Sequence, residues 1–249
     1  MKNHGLWRPS KFVLRGGRWR TSRDAREVGS GSRLITDAVA LVYGEQLPQH
    51  ARGRLLDLGC GKVPLYGVYQ QSVEEVVCVD WAASEPVDHI DRQCDLSQPL
   101  PFDDACFDTI ILSDVLEHIP EPALLWHEMA RLLAPGGTVI MNVPFFYWLH
   151  AHPHDYYRYT NFALERFVQR CGLELVLLRP LGGVVDVLAD MLAKLLDKIP
   201  LFGTPLALGL QALAGGFGRS GVGARVATVS ARHFPLGYFL VARRAAAAP

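Results

Sequence analysis

The stretch Leu55-Leu56-Asp57-Leu58-Gly59-Cys60-Gly61-Lys62 joins a short apolar run to a Gly-x-Gly bend, with a carboxylate ahead of it. Glycines let a ligand approach the backbone with no side chain in the way. In an open α/β sheet, ligands bind beyond the carboxyl ends of the strands, where the strand order reverses. A dinucleotide turn needs a third glycine to bring helix and strand together. Here the position three after Gly61 is Pro64, and an acid before the bend suits a cation better than a diphosphate. Asp80 ends the next apolar run, where a carboxylate accepts from both hydroxyls of a ribose. Asp95-Leu96 is placed to hydrogen-bond an adenine amino group. A ribose clamp, an adenine site and no phosphate cradle describe S-adenosylmethionine (SAM), whose positive amino group and sulfonium would match Asp57.

A second concentration of chemistry lies at Pro144-Phe145-Phe146-Tyr147-Trp148-Leu149-His150-Ala151-His152-Pro153-His154-Asp155-Tyr156-Tyr157-Arg158-Tyr159-Thr160. It follows a strand end, on the side where the cofactor is expected. His154 or His152 is the candidate general base, with Asp155 orienting the imidazole. Arg158 is suited to grip a phosphate or carboxylate on an acceptor, with Tyr147 and Tyr156 as further acceptor contacts. His150, His152 and His154 with Asp155 also invite a metal reading. However, His-x-His-x-His needs a specific geometry and Pro153 argues for a rigid turn, so no metal is expected. The plain alternative is that these residues pack the loop and satisfy its backbone.

These groups need strands that end beside one another. Arg54–Gly59, Glu75–Asp80, Phe107–Ser113 and Thr138–Val143 are β-branched-rich, nearly continuous apolar runs, as in strands covered on both faces. Glu121–Leu133 carries helical spacing, with Pro122 in its first turn and Pro135-Gly136-Gly137 as the stop. Leu34–Tyr43 predicts a helix ending near Gly44, and Thr160 caps another through Arg170. Leu173–Leu178 and Tyr238–Ala242 complete the strands. Strands alternating with helices predict a doubly wound, mostly parallel α/β sheet built from right-handed crossovers.

Two regions stand outside that pattern. Residues 1–33 hold nine Lys/Arg against Asp24 and Glu27, although the 249-residue chain balances 25 basic against 25 acidic residues. They read as a basic arm preceding a domain over 34–249, and Trp7, Phe12 and Trp19 suggest that the arm docks on something. Residues 181–233 interrupt the sheet before its last strand. Within them Val184–Leu196 has polar positions Asp186, Asp190 and Lys194 at helical spacing, followed by Asp197, and Leu201–Phe217 is evenly apolar. This insertion is read either as a lid packed over the sheet or as a patch lying against a bilayer surface over 181–217.

Composition excludes several classes. With 49% hydrophobic and 20% charged residues, the chain is not mainly disordered. Its five cysteines share no CxxC spacing, which argues against a disulfide scaffold or a cysteine zinc site. No apolar h-region and no stretch of spanning length is evident, so the expected location is cytoplasmic, with membrane contact at most peripheral. Zero net charge and the absence of a nucleic-acid motif argue against a nucleic-acid partner.

The sequence LLDLGCG, then VVCVDWA, then CDLSQPLPFDDACFDTIILSDVLEHI, then EMARLLAPGGTVIMNVP, resembles the class I SAM-dependent methyltransferases, and within them is similar to the type 11 group. The resemblance covers roughly Arg54–Pro144, with PLGYFLVARR as the closing strand; Val63 departs from the motif where a third glycine often stands. It implies a seven-stranded Rossmann-like sheet whose last strand is antiparallel. It also implies that Asp57, Gly59 and Gly61 bind the methionine end, Asp80 the ribose and Asp95-Leu96 the adenine. Ser113 and Asp114 would then border the sulfonium. Cys60, Trp81 and His118 complete the candidate cofactor set. The expected activity is methyl transfer to a hydroxyl or carboxyl of a small-molecule or glycan acceptor, such as a lipid-linked sugar. Methylation of a quinone or natural-product scaffold at carbon, nitrogen or oxygen is the alternative. A SAM-binding protein without catalysis and a nicotinamide oxidoreductase are lesser ones.

Overall fold

The alternating apolar runs assemble into one sheet with helices on both faces, in a computed structural model that describes residues 1–81 and 88–246. A hairpin comes first: β1 (Phe12–Arg15) pairs antiparallel with β2 (Arg18–Thr21). Gly16 and Gly17 both take positive φ at its tip, the conformation a two-residue hairpin turn requires. Then follow α1 (Arg33–His50), β3 (Arg54–Leu58), α2 (Tyr66–Tyr69), β4 (Glu75–Asp80), β5 (Arg92–Gln93) and β6 (Phe107–Ser113). After these come α3 (Pro122–Leu132), β7 (Leu133–Pro144), α4 (Asn161–Arg170) and β8 (Leu173–Leu181). Three inserted helices, α5 (Val184–Leu196), α6 (Gly203–Gly218) and α7 (Gly221–Ser230), precede β9 (Gly237–Arg244).

The strand order is β5-β4-β3-β6-β7-β9-β8. The first five strands pair in parallel, and β9 runs antiparallel to both β7 and β8. The order reverses between β3 and β6, so the carboxyl ends of β3, β4 and β6 surround the crevice where such sheets bind ligands. Successive strand residues point to opposite faces. Leu56, Ile110 and Met141 therefore pack with Trp126 and Leu164 on one side, and Leu55, Ile111 and Ile140 with Tyr43 and Leu47 on the other.

The first helix departs from expectation. α1 runs past Gly44 and carries Pro48 within its last turn. Gly44 is there for space, because a Cβ on it would stand 3.1 Å from the Trp19 ring, and buried Tyr43 and Leu47 hold the following turn. The helical stop at Pro135-Gly136-Gly137 is also displaced: α3 ends at Leu132 and those residues already belong to β7. Thr160 does cap α4, its hydroxyl accepting from the Ala163 N–H at 3.2 Å.

The basic arm docks on its own domain. Phe12 is fully buried, Trp7 Nε1 donates to the Val63 carbonyl at 3.0 Å, and Lys11 reaches Asp114 at 2.8 Å. The insertion is a second surprise. α5 turns its polar pair, Asp190 and Lys194, inward as a buried ion pair, with Lys194 Nζ 4.0 Å from the centre of the Tyr147 ring. Leu188, Met191, Leu192 and Leu195 are exposed instead. A mutually neutralising Asp–Lys pair one helical turn apart makes this inversion tolerable. Among the described residues, no helix is long and apolar enough to cross a membrane.

Candidate active site

Two cavities meet at the carboxyl end of the sheet, sharing Asp114 and His118. The larger, about 590 Å³, is lined by Gly59 after β3, Asp80 and Trp81 at the end of β4, Asp95-Leu96 after β5, and Asp114 after β6. His118, His152, His154 and Tyr156 close it from the other side. The smaller, about 300 Å³, is lined by Lys11, Glu27, Ser32, Ile35, Val39, Asp114, Glu117, His118, Tyr147 and His150, among others.

The glycine bend is held by the neighbouring strand. Gly59 has φ +67 and a Cβ there would lie 2.5 Å from Val115, so no other residue fits without displacement. The Gly61 N–H donates to Asp80 Oδ2 at 2.5 Å and the Trp81 N–H to Asp80 Oδ1 at 2.7 Å. Asp80 thus fixes the loop as well as facing the cavity. Asp57 lies deeper than expected. It is buried, takes the Tyr69 hydroxyl at 3.0 Å, and lines neither cavity; burial pushes its pKa up to about 7. Cys60 is likewise buried, and neither it nor Gly61 borders the space.

At the junction, Asp114 takes a positive φ of 52°, a conformation Asp tolerates better than most residues. Its carboxylate accepts from Asn142 Nδ2 and from Lys11. Asn142 also accepts from Tyr43 and from Ser113, so the Ser113 hydroxyl belongs to a supporting network, not to the cavity wall. Burial pulls the Lys11 pKa down, but the charge and hydrogen bond of Asp114 outweigh it and hold the ammonium above its ordinary value.

The histidine loop divides differently from the sequence reading. Asp155 orients neither His152 nor His154. Both its oxygens are gripped by Arg158 at 2.6 and 2.8 Å, and it also accepts from the His150 N–H at 2.9 Å. The Arg158 hydrogen bonds hold its carboxyl far below the usual carboxylate range. Arg158 is therefore engaged within the loop and is not presented to an acceptor. His154 stacks edge-on against Trp81 at 5.0 Å, and both His154 and His152 line the larger cavity. His118 and His150, 4.8 Å apart, border the smaller one. Burial and the neighbouring His118 hold the His150 pKa below its ordinary value. Glu117 is fully buried, and burial, then the Asp114 charge, raise its pKa well above the carboxylate range.

Lys11, Glu27, Ser32 and Asn142 were invisible as site residues in the sequence; the first three come from the arm and lack any spacing signal. Glu117, beside His118 in the 3₁₀ turn Leu116–His118, was legible only as part of a motif. The larger cavity fits SAM on the chemistry of its donors: Asp80, Asp95 and Asp114 line it, and no Lys or Arg does among the described residues.

Residues 56–141 match the family model described as a methyltransferase domain. The match is confined to those residues, and the fold of the chain is one shared with solved SAM-dependent methyltransferases. It is 32% identical over 100 residues to a ubiquinone biosynthesis O-methyltransferase of Alkalilimnicola ehrlichii, covering 36% of this chain and 40% of that protein. A demethylmenaquinone methyltransferase of Renibacterium salmoninarum is 29% identical over 44% of this chain and 45% of its own length. The chain thus spans less than half the length of these curated relatives. A solved SAM-dependent methyltransferase from Mesorhizobium loti superposes with a TM-score of 0.54 at 16% identity, covering 85% of this chain and all of that one.

Proposed function

We propose that this protein is a SAM-dependent methyltransferase that modifies a hydroxyl of a small, ring-shaped acceptor. The observation that carries the reading is the pair of cavities meeting at Asp114 and His118, one acidic and nucleoside-sized, the other smaller and mixed in character. SAM supplies a methyl group on an already activated sulfonium, so the protein's contribution is proximity and alignment. Asp80 holds the ribose, Asp95-Leu96 the adenine, and Trp81 covers the nucleoside. Asp114 presents negative charge where the sulfonium side meets the acceptor. Ile35, Val39 and Tyr147 offer a ring an apolar seat, and Glu117, His118 and His150 are the groups beside a bound hydroxyl. His152 and His154 stand on the nucleoside side, which favours a covering role over that of general base.

The quinone-biosynthesis relatives support a phenolic acceptor, and about 300 Å³ suits a substituted ring better than a bulky glycan. A lipid-linked acceptor, including a lipid-linked sugar, is the second reading, favoured by the outward apolar face of α5. Leu201, Phe202 and Leu206, in the following turn and at the start of α6, are exposed as well, and so is Lys198, the composition of a segment that rests on a bilayer surface.

The test is release of S-adenosylhomocysteine from SAM in the presence of hydroxylated quinone precursors, with and without a prenyl tail, and of a lipid extract. Turnover on a ring hydroxyl supports the reading. Tight SAM binding with no turnover on any of them would leave a binding protein instead.

A further inference from the structure

Glu117, His118 and His150 come together from two segments into a cluster that the sequence motifs did not join. Glu117 is fully buried, and neither of its carboxylate oxygens has a hydrogen-bond partner. Buried carboxylates are normally paired, hydrogen-bonded or bound to a metal. Two imidazole nitrogens face Oε1: Nε2 of His118 at 3.7 Å and Nε2 of His150 at 3.8 Å. The His118 ring is steadied from behind. His118 Nδ1 lies 2.7 Å from the His154 carbonyl, which can only accept, so Nδ1 carries the proton and Nε2 the lone pair. His150 Nδ1 lies 3.3 Å from Asp155 Oδ2, within ion-pair reach but without a hydrogen bond, while the His150 backbone N–H donates to the same carboxylate at 2.9 Å and Asp155 is itself locked by Arg158. Carbonyls and carboxylates behind an imidazole are how proteins orient metal-bound histidines.

We propose that Glu117, His118 and His150 bind one divalent transition-metal ion of the zinc type. The donor set is two nitrogens and one oxygen, all within 4.8 Å of one another. Hard cations such as Mg²⁺ and Ca²⁺ take oxygen ligands, so two imidazoles select the borderline metals. With bonds of about 2.1 Å, ligand atoms sit about 3.4 Å apart around a tetrahedral ion and about 3.0 Å around an octahedral one. Separations of 3.7 and 3.8 Å are nearer the tetrahedral edge and close with small side-chain rotations. All three residues line the smaller cavity, so the fourth position opens onto it. Three protein ligands plus an open position is the pattern of a catalytic zinc site. The Asp155–Arg158 lock, which also holds the His150 backbone N–H, then has a purpose that acceptor binding did not supply: it fixes the segment that carries His150.

The full chain, stripped with a chelator and free of SAM and acceptor, is titrated with Zn²⁺ against a chromophoric competitor and separately with Co²⁺. Ion binding therefore stands or falls independently of methyl transfer. The expected result is one ion per chain and a Co²⁺ spectrum without sulfur-to-metal charge transfer. Affinity should fall at least about tenfold in Glu117→Gln and His150→Ala, the scale of lost metal-site support. It should be unchanged in His233→Ala, which alters an exposed histidine in the turn after α7. Glu117→Gln preserves side-chain size and decides the case if His150→Ala fails to fold. No stoichiometric binding, equal affinity in Glu117→Gln and the parent, or a thiolate spectrum from the cysteines would each overturn the assignment.

Discussion

The two cavities that share Asp114 and His118 are built in different ways. The larger takes most of its wall from the ends of consecutive strands: residues 59, 80–81 and 114–115 stand at the ends of apolar runs, and 95–97 follow the short polar strand β5. The smaller gathers Lys11 and Glu27 from the arm, Ile35 and Val39 from α1, and Tyr147 and His150 from the loop after β7. A cofactor site of the first kind repeats wherever the sheet repeats. An acceptor site of the second kind is free to change with its arm, loop and insertion, while the cofactor chemistry stays put.

The largest expected effect tests whether the arm belongs to the domain. Phe12→Ala removes a fully buried ring and should cost about 3–5 kcal/mol of stability by denaturant unfolding. A loss below about 1 kcal/mol would mean that the arm is an appendage and that the smaller cavity lacks a fixed wall.

Asp57 probes the floor beneath the larger cavity. Its folded-state pKa is raised to about 7, so its stabilising contribution is complete below the ordinary carboxylate range and is lost as pH rises to about 7. Asp57→Asn should therefore match the parent near pH 4 and exceed it by up to about 4 kcal/mol at pH 8. Parallel stability curves across that range would contradict the burial of the charge.

Next in size is the ribose contact. Asp80→Ala should weaken SAM binding by about 1.5–3 kcal/mol in calorimetry, because a charged acceptor of hydroxyls is lost. Part of that loss reflects the Gly61 and Trp81 N–H groups that Asp80 also holds. The smallest effect falls on the other cavity. Lys11→Met breaks a partly exposed ion pair worth at most about 1 kcal/mol, so stability should barely move. The acceptor KM should rise while the SAM dissociation constant holds; the reverse pattern would exchange the roles of the two cavities.

This division also explains what the sequence revealed. β4 and β6 lie where their apolar runs end, and Asp80, Asp95 and Asp114 reach the cavity, because strand-end residues are positioned by their immediate neighbours. Asp57 was expected to face the methionine end of the cofactor, but it is buried under a hydrogen bond from Tyr69, a depth that spacing does not encode. The pairing of Asp155 with Arg158 was missed because a loop of aromatic and basic residues reads as ligand-facing whether it grips a ligand or itself. α5 was legible as amphipathic but its orientation was not. A buried Asp190–Lys194 pair and an exposed one have the same spacing, and only the ring of Tyr147 and the packing of residues 29–36 decide which face turns inward.

The most direct test is a crystal structure with S-adenosylhomocysteine. Adenine is expected against Asp95-Leu96, both ribose hydroxyls on Asp80, and the sulfur at the Asp114–His118 junction, pointing into the space bordered by Tyr147 and His150. A nucleoside lodged in the smaller cavity, or a sulfur directed away from it, would contradict the account.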